Sequence, residues 1–345
     1  MKVYFAGAPG GGSMGLCPRE IELNSYWKHR LWSYYHLLLN NGKMPDERKR
    51  VDLFLDSGAY SAWAQGKEIV LDDYIEFIKE HGDVLDVYSN LDVIGDPEAT
   101  WKNQRRMEKA GLNPVPVYHY GEDIKYLTKL LARGYEYISL GGMVPISTKD
   151  LIYWLDELFT NYLTDEYGMP IVKVHGFGLT SLRLMLRYPW FSVDSTSWVV
   201  SGRMGTIYIP RYRLGKWIYD EESWKVAVSH LSPNLKEKGK HISTMNKSEK
   251  DILLKYIHEK GYVMGESKLR YENDGYKPIE GERLLNKSDK DPAGQRQVER
   301  IIEPGISNKY QLRDELNILY FMDLEKTMTK WPWPFVKKDL QEKLF

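Results

Sequence analysis

Short apolar runs that break off at an acid, a histidine or a glycine pair recur along residues 2–209, and amphipathic stretches separate most of them. Lys2–Ala6 is the first and ends in the small-residue run Gly7-Ala8-Pro9-Gly10-Gly11-Gly12-Ser13. Val51–Leu55 ends at Asp56-Ser57-Gly58, Val84–Tyr88 leads to Asn90-Leu91-Asp92, and Val115–Tyr118 leads to His119-Tyr120-Gly121. Tyr135–Leu140 ends in Gly141-Gly142, Ile171–Val174 in His175-Gly176 and Phe191–Val193 in Asp194, and Thr206–Ile209 supplies a final run. Runs this short and apolar suit buried strands, and helical spacing over 71–81, 96–109, 124–132, 148–163 and 181–188 fills the gaps. Ile21–Asn40, with Tyr26, Trp32, Tyr35 and Leu38 at helical spacing, is also expected to be a helix.

About eight strands with helices between most of them have the period of an α/β fold of the (β/α)8 TIM-barrel type, with a doubly wound open sheet as the alternative. In a barrel the residues just after each strand converge on one face. Asp56, Asp92, His119, Gly141, Gly142, His175, Gly176 and Asp194 all occupy such positions. Any one of them alone could be a loop residue, and Asp56 could cap the helix that follows it. Past Arg211 the alternation fades. The expected division is therefore a barrel domain over 1–215 and a mainly helical and loop appendage over 216–345. Helices are expected over Glu249–Lys260 and Gln311–Lys326, with loops over Ser229–Lys250 and Lys268–Arg296.

Lys plus Arg and Asp plus Glu both total 48, so net charge carries no argument about partners. The single cysteine, Cys17, rules out a disulfide framework or a multi-thiolate metal site within one chain, and a reducing cytoplasmic interior is the expected compartment. No apolar run is long enough to span a membrane, so no membrane partner is expected. The glycine run after Lys2–Ala6 lacks the Gly-Lys-Ser/Thr ending of a phosphate loop, which argues against a nucleoside triphosphate site.

Separate carboxylates at strand ends, Asp56 and Asp194, suit chemistry at an anomeric carbon, where one acid attacks and another handles the leaving-group proton. Asp92 adds a third. A carboxylate can accept both hydrogen bonds from a heterocycle with adjacent donors, as guanine has. Gly141-Gly142 would let backbone approach the heterocycle's carbonyl, and Tyr60 and the His175-Gly176 edge could form the sides of a stacking slot. The same carboxylates could instead serve a nucleoside or glycoside hydrolase, or the barrel could bind nucleic acid without catalysis.

These residues resemble the guanine transglycosylases of the queuine tRNA-ribosyltransferase superfamily. Asp56-Ser57-Gly58-Ala59-Tyr60-Ser61 is similar to the family's Asp-Ser-Gly-Gly-Phe-Gln motif, Leu140-Gly141-Gly142 to its Gly-Gly base-binding turn, and Gly176-Phe177-Gly178 to its Gly-Val-Gly turn. Asp194 corresponds to its nucleophile. Order and spacing agree over roughly Lys2–Arg211. The resemblance implies a covalent intermediate on Asp194 and acid/base work by Asp56. It implies base recognition by Ser57, Gly58, Asp92, His119, Gly141, Gly142, His175 and Gly176, with stacking on Tyr60.

The tRNA enzymes hold a zinc with three cysteines and a histidine, which a chain with only Cys17 cannot do. Ala59 and Ser61 also depart from the motif. Both departures direct the resemblance to the phage-type, DpdA-like branch, which exchanges guanine in DNA for a 7-deazaguanine of the preQ0 type. The partners implied are DNA, with tRNA as the alternative polymer, free guanine and the deazaguanine base, and no cofactor is required. A polynucleotide needs a basic surface, for which Arg203, Arg211, Arg213, Lys216, Lys236, Lys238 and Lys240 are the candidates.

Overall fold

Lys2–Ala6 forms the first strand, β1, and its residues from Val3 to Ala6 are all buried, the mark of a strand covered on both faces. The computed structural model describes residues 1–7, 29–39, 51–179, 181–235, 237–273, 275–285 and 294–337. Two compact units divide the chain, one of residues 1–196 with 324–345 and one of residues 197–323. The break falls at Thr196/Ser197 rather than near residue 215, and the segment from Leu324 returns to the first unit.

In the first unit β1 is joined by β2 (His29–Ser33), β3 (Asp52–Asp56), β4 (Val87–Tyr88), β5 (Val117–His119), β6 (Tyr137–Gly141), β7 (Lys173–Gly176) and β8 (Ser192–Ser195). They form one eight-stranded sheet in the order β4-β3-β2-β1-β8-β7-β6-β5, and every pairing is parallel. The helices that return the chain are α1 (Tyr34–Leu39), α2 (Ala59–Ala64), α3 (Leu71–His81), α4 (Pro97–Lys109), α5 (Ile124–Ala132), α6 (Thr148–Leu158) and α7 (Leu182–Arg187). Past β4, Ser89 bridges Val115 in parallel. Val115 N–H donates to Tyr88 O at 2.9 Å and Asn90 N–H to Val115 O at 3.0 Å, so main-chain bonds run from one edge strand to the residues just before the other.

Local chemistry sets these elements. Asp96 caps α4 by accepting from Ala99 N–H at 2.9 Å, Pro97 occupies the first turn, and Thr100, Gln104 and Met107 bury one face at helical spacing. Tyr34, Leu53, Leu55, Tyr74, Ile78 and Met107 share one core cluster, in which helix faces pack on the β3 side of the sheet. The aromatic tail also belongs to this unit. Phe335 N–H donates to Gly168 O at 2.8 Å, and the Phe335 ring stacks on Tyr188 with centroids 5.4 Å apart.

Two expectations change here. His29–Ser33 is a strand rather than part of a helix over Ile21–Asn40, whose residues 21–28 and 40 lie outside the described residues. Thr206–Ile209 is a strand, but it pairs antiparallel with Trp224–Ala227 in the second unit. The eight parallel strands therefore include β2 in place of the expected final one.

The second unit is not mainly helical. It holds α8 (Ser197–Arg203), β9 (Thr206–Ile209), β10 (Arg211–Arg213), β11 (Lys216–Ile218), β12 (Trp224–Ala227), α9 (Lys247–Glu259), β13 (Glu266–Glu272), β14 (Glu282–Leu284) and β15 (Arg296–Glu303). The division between the units, after Asp323, falls inside the last helix, α10 (Tyr310–Thr327). The polar stretch expected as loop contributes most of β13 and all of β14 to the antiparallel sheet β13-β15-β14. Its strands escape apolar pattern reading because charged pairs hold them, Arg270 with Glu282 at 2.6 Å and Arg283 with Glu299 at 2.6 Å. Asn317, buried on α10, accepts from Tyr208 N–H at 2.9 Å and donates to Trp198 O at 2.9 Å, tying that helix to β9 and α8.

Candidate active site

Asp56 ends β3, and the chain turns sharply behind it. Gly58 has φ 76°, and a β-carbon there would lie 2.3 Å from Ser33 Oγ and 2.6 Å from Tyr35 Cβ, so only glycine fits the turn. Asp56 Oδ2 accepts from Gly58 N–H at 3.1 Å. Gly58 itself sits at the cap of α2 with no side-chain cap bond, so the Asp56 carboxyl braces the turn and does not cap the helix. Burial, together with the negative charges of Asp92 and Asp194, pushes the Asp56 carboxyl up to about 8. At neutral pH this acid keeps its proton.

Asp92 follows β4 and is held from both sides. Ser57 Oγ donates to Oδ1 at 3.0 Å, and His119 Nε2 lies 3.0 Å from Oδ2. The other ring nitrogen of His119, Nδ1, lies 3.0 Å from Glu122 Oε1, and His119 N–H donates to Glu122 Oε2 at 3.0 Å. Burial lowers the basicity of the imidazole, but the hydrogen bonds and charges of Asp92 and Glu122 outweigh it and raise the pKa to about 9. Each ring nitrogen faces a carboxylate oxygen, an arrangement that favours the protonated imidazole. Held between the two carboxylates, the ring fixes the orientation of Asp92.

Gly141 pairs with His119 across β5 and β6, and a β-carbon on it would lie 2.7 Å from the imidazole Cδ2. The glycine is thus required first by the ring that lies against it.

Asp194 lies within β8, opposite Tyr4 of β1, and is 7% exposed. Its Oδ1 accepts from Gly178 N–H at 2.8 Å. His175 stands behind it, with Nε2 3.4 Å from Asp194 Oδ1 but not in hydrogen-bonding geometry, and Nδ1 2.6 Å from Ser192 Oγ. The His175 ring is fully buried among Tyr4, Phe54 and Phe177, with centroids 6.0, 4.7 and 4.6 Å away. A β-carbon on Gly176 would meet the Trp190 ring at 3.2 Å.

Asp56, Asp92 and Asp194 share the wall of one cavity of about 830 Å3, together with Gly58, Tyr60, His119, Gly141 and Gly142. Ser57 is buried beneath that wall, fixing Asp92. His175 and Gly176 do not line the cavity. Phe177, two residues past His175 and in ring contact with it at 4.6 Å, does line it. At the mouth Tyr60 and Trp63 are 54% and 58% exposed, with ring centroids 5.9 Å apart. Glu122, Trp63 and Phe177 went unremarked as site residues in the sequence. The His119-x-x-Glu122 spacing was the available signal for the first of them.

The basic residues expected at a polynucleotide surface fall in the second unit. Arg203 ends α8 and is exposed, Arg211, Arg213 and Lys216 belong to the β10–β11 hairpin, Lys238 and Lys240 are exposed, and Lys236 lies outside the described residues. Arg213 pairs with Glu221 at 2.9 Å and Lys240 with Glu237 at 2.5 Å. No helix among the described residues is long and apolar enough to cross a membrane. Comparison with protein-family models, with curated proteins and with solved structures yields no match to this chain.

Proposed function

We propose that this chain is a base-exchanging glycosyl transferase that replaces guanine in DNA with a 7-deazaguanine. The main-chain bonds around Val115 support closure of the sheet into a (β/α)8 barrel, which would gather its strand ends in one mouth. The observation that carries the functional reading is the cavity that Asp56 shares with Asp194 and Asp92, in which burial and the neighbouring carboxylates raise the Asp56 pKa. A glycosyl transfer with a covalent intermediate needs that division of labour.

In the first half-reaction an Asp194 carboxylate oxygen bonds to C1′ of the nucleoside as the bond from C1′ to the guanine ring nitrogen breaks. Asp56 gives its proton to that nitrogen, so guanine departs neutral and Asp194 is left as a glycosyl ester. In the second half-reaction Asp56, now a carboxylate, takes the ring N–H proton of the incoming base. The freed nitrogen bonds to C1′ and Asp194 leaves as a carboxylate. Two inversions retain the sugar configuration, and no redox or energy-carrying cofactor enters the balance.

Asp92 would accept the ring N–H and the amino group of the base with the lone pairs left over from Ser57 and His119. Tyr60 and Trp63 would stack on bases at the mouth. Incubation with DNA and radiolabelled guanine tests the reading. Label entering DNA supports it. Release of base without incorporation would point to a hydrolase, and neither event would leave a binding protein; both results overturn the proposal. The same assay on tRNA decides the polymer.

A further inference from the structure

In the second unit, β10 and β11 form a hairpin whose turn is Leu214-Gly215, closed by the pair Arg213–Lys216. Both turn residues have positive φ, 49° and 79°, as in the two-residue turns that normally take asparagine, aspartate or glycine. Leu214 is the one non-glycine residue at positive φ among the described residues. A branched side chain is disfavoured there, and burial does not compensate, since Leu214 is fully exposed at 101%. Nothing within the unit explains an apolar residue at this point.

The base of the hairpin is firm. Tyr212 and Trp217 face each other across the strands at 4.5 Å, Trp217 packs edge-on against Tyr256 at 5.1 Å, and its Nε1–H donates to Glu259 Oε2 at 2.6 Å. Exposed Arg213 and Lys216 flank the tip, and Arg211 lies two pairs further back with Nε–H donating to Glu222 O at 2.9 Å. The Arg213–Glu221 pair, 2.9 Å apart with the arginine side chain 64% exposed, is weak enough to be exchanged for a phosphate.

We propose that this hairpin is a duplex-opening wedge, in which Leu214 enters a base step while Arg213 and Lys216 hold the flanking phosphates. The proposal rests on the reading that the substrate is a polynucleotide, whose guanine must leave the stack before its C1′ can react. A single apolar side chain suffices to unstack a base step, whereas a membrane surface is held by a wider apolar face. That contrast favours nucleic acid over lipid.

The test uses the full chain and a set of duplexes carrying 2-aminopurine at successive steps. Wild type should raise the fluorescence of the base as it is unstacked. Leu214→Gly, which suits the turn, should keep the melting temperature and bind with less than about a threefold change in affinity while losing most of that rise. Arg213→Gln combined with Lys216→Gln should weaken binding and reduce the salt slope by about two. An unchanged fluorescence rise in Leu214→Gly, no duplex binding by wild type, or Leu214-dependent binding to phosphatidylserine vesicles with no effect on duplexes would each overturn the wedge. In the exchange assay Leu214→Gly should lose far more activity on duplex DNA than on an oligonucleotide whose guanine is already unpaired. If wild type exchanges guanine in neither, the transglycosylase reading fails and the fluorescence result alone decides the wedge.

Discussion

The two ends of β3 carry aspartates four residues apart that are driven in opposite directions. Asp52 begins the strand. Burial alone would raise it, but hydrogen bonds from His29 at 3.2 Å, from Lys2 and from Tyr4 at 2.7 Å overcome that and hold it at about 2. Asp56 ends the strand with two carboxylates for company and rises to about 8. Burial is common to both, so the sign of the neighbouring charges decides which is a fixed anion and which a proton donor. The first end is tied further by His29, whose Nε2 also meets Glu325 at 3.3 Å.

The largest break in this contrast is loss of the proposed nucleophile. Asp194→Ala should lower guanine exchange by roughly 10³-fold or more and abolish a trapped protein–DNA adduct on denaturing gels. Asp56→Asn comes next, slowing exchange roughly 10²–10³-fold with DNA affinity nearly unchanged in a filter-binding titration. The wild-type rate of guanine expulsion should decline as pH rises through about 8, and the variant should lack that limb. A raised carboxyl favours the folded state at low pH and withdraws that support as pH rises from its unfolded value towards about 8, so Asp56→Asn should also melt higher at pH 7.

Asp52→Asn should do the reverse, leaving exchange intact and costing about 2 kcal/mol in urea unfolding. The lowered Asp52 contributes its stabilisation above the unfolded carboxylate value and loses it as pH falls towards about 2. The raised His29 contributes below the unfolded imidazole value and loses it as pH climbs through its folded pKa. The destabilisation should therefore be greatest in mildly acidic solution, between those limits. Smallest is Tyr60→Ala, expected to weaken substrate binding about tenfold in KM with kcat little changed, as lost stacking at an exposed ring would.

The gathering of Asp56, Asp92, His119 and Asp194 at one cavity was legible in the sequence, because each interrupts an apolar run and strand ends of a parallel sheet converge, whereas Asp52 carried no such mark. The parts that were not legible depend on distant partners. His29–Ser33 has helically spaced aromatics around it, and its strand identity comes from pairing with β1 and β3. Thr206–Ile209 has the composition of an inner strand but pairs with Trp224–Ala227, a choice its own residues do not encode. His175 is covered by Tyr4, Phe54 and Phe177, and the first two come from strands distant in the chain, so its burial is not encoded in its own segment. The β13–β15 sheet hid behind its charges, since cross-strand ion pairs leave no apolar alternation to read. Glu122 gained meaning only once His119 was found between two carboxylates.

The most direct test of the central claim, that Asp56 is an acid at neutral pH while Asp52 is a locked anion, is a carbon-13 carboxyl titration of aspartate-labelled protein, with Asp56→Asn and Asp52→Asn assigning the two signals. The account predicts midpoints near 8 for Asp56 and near 2 for Asp52. A midpoint for Asp56 at about 4, the ordinary value for an aspartate, would contradict it.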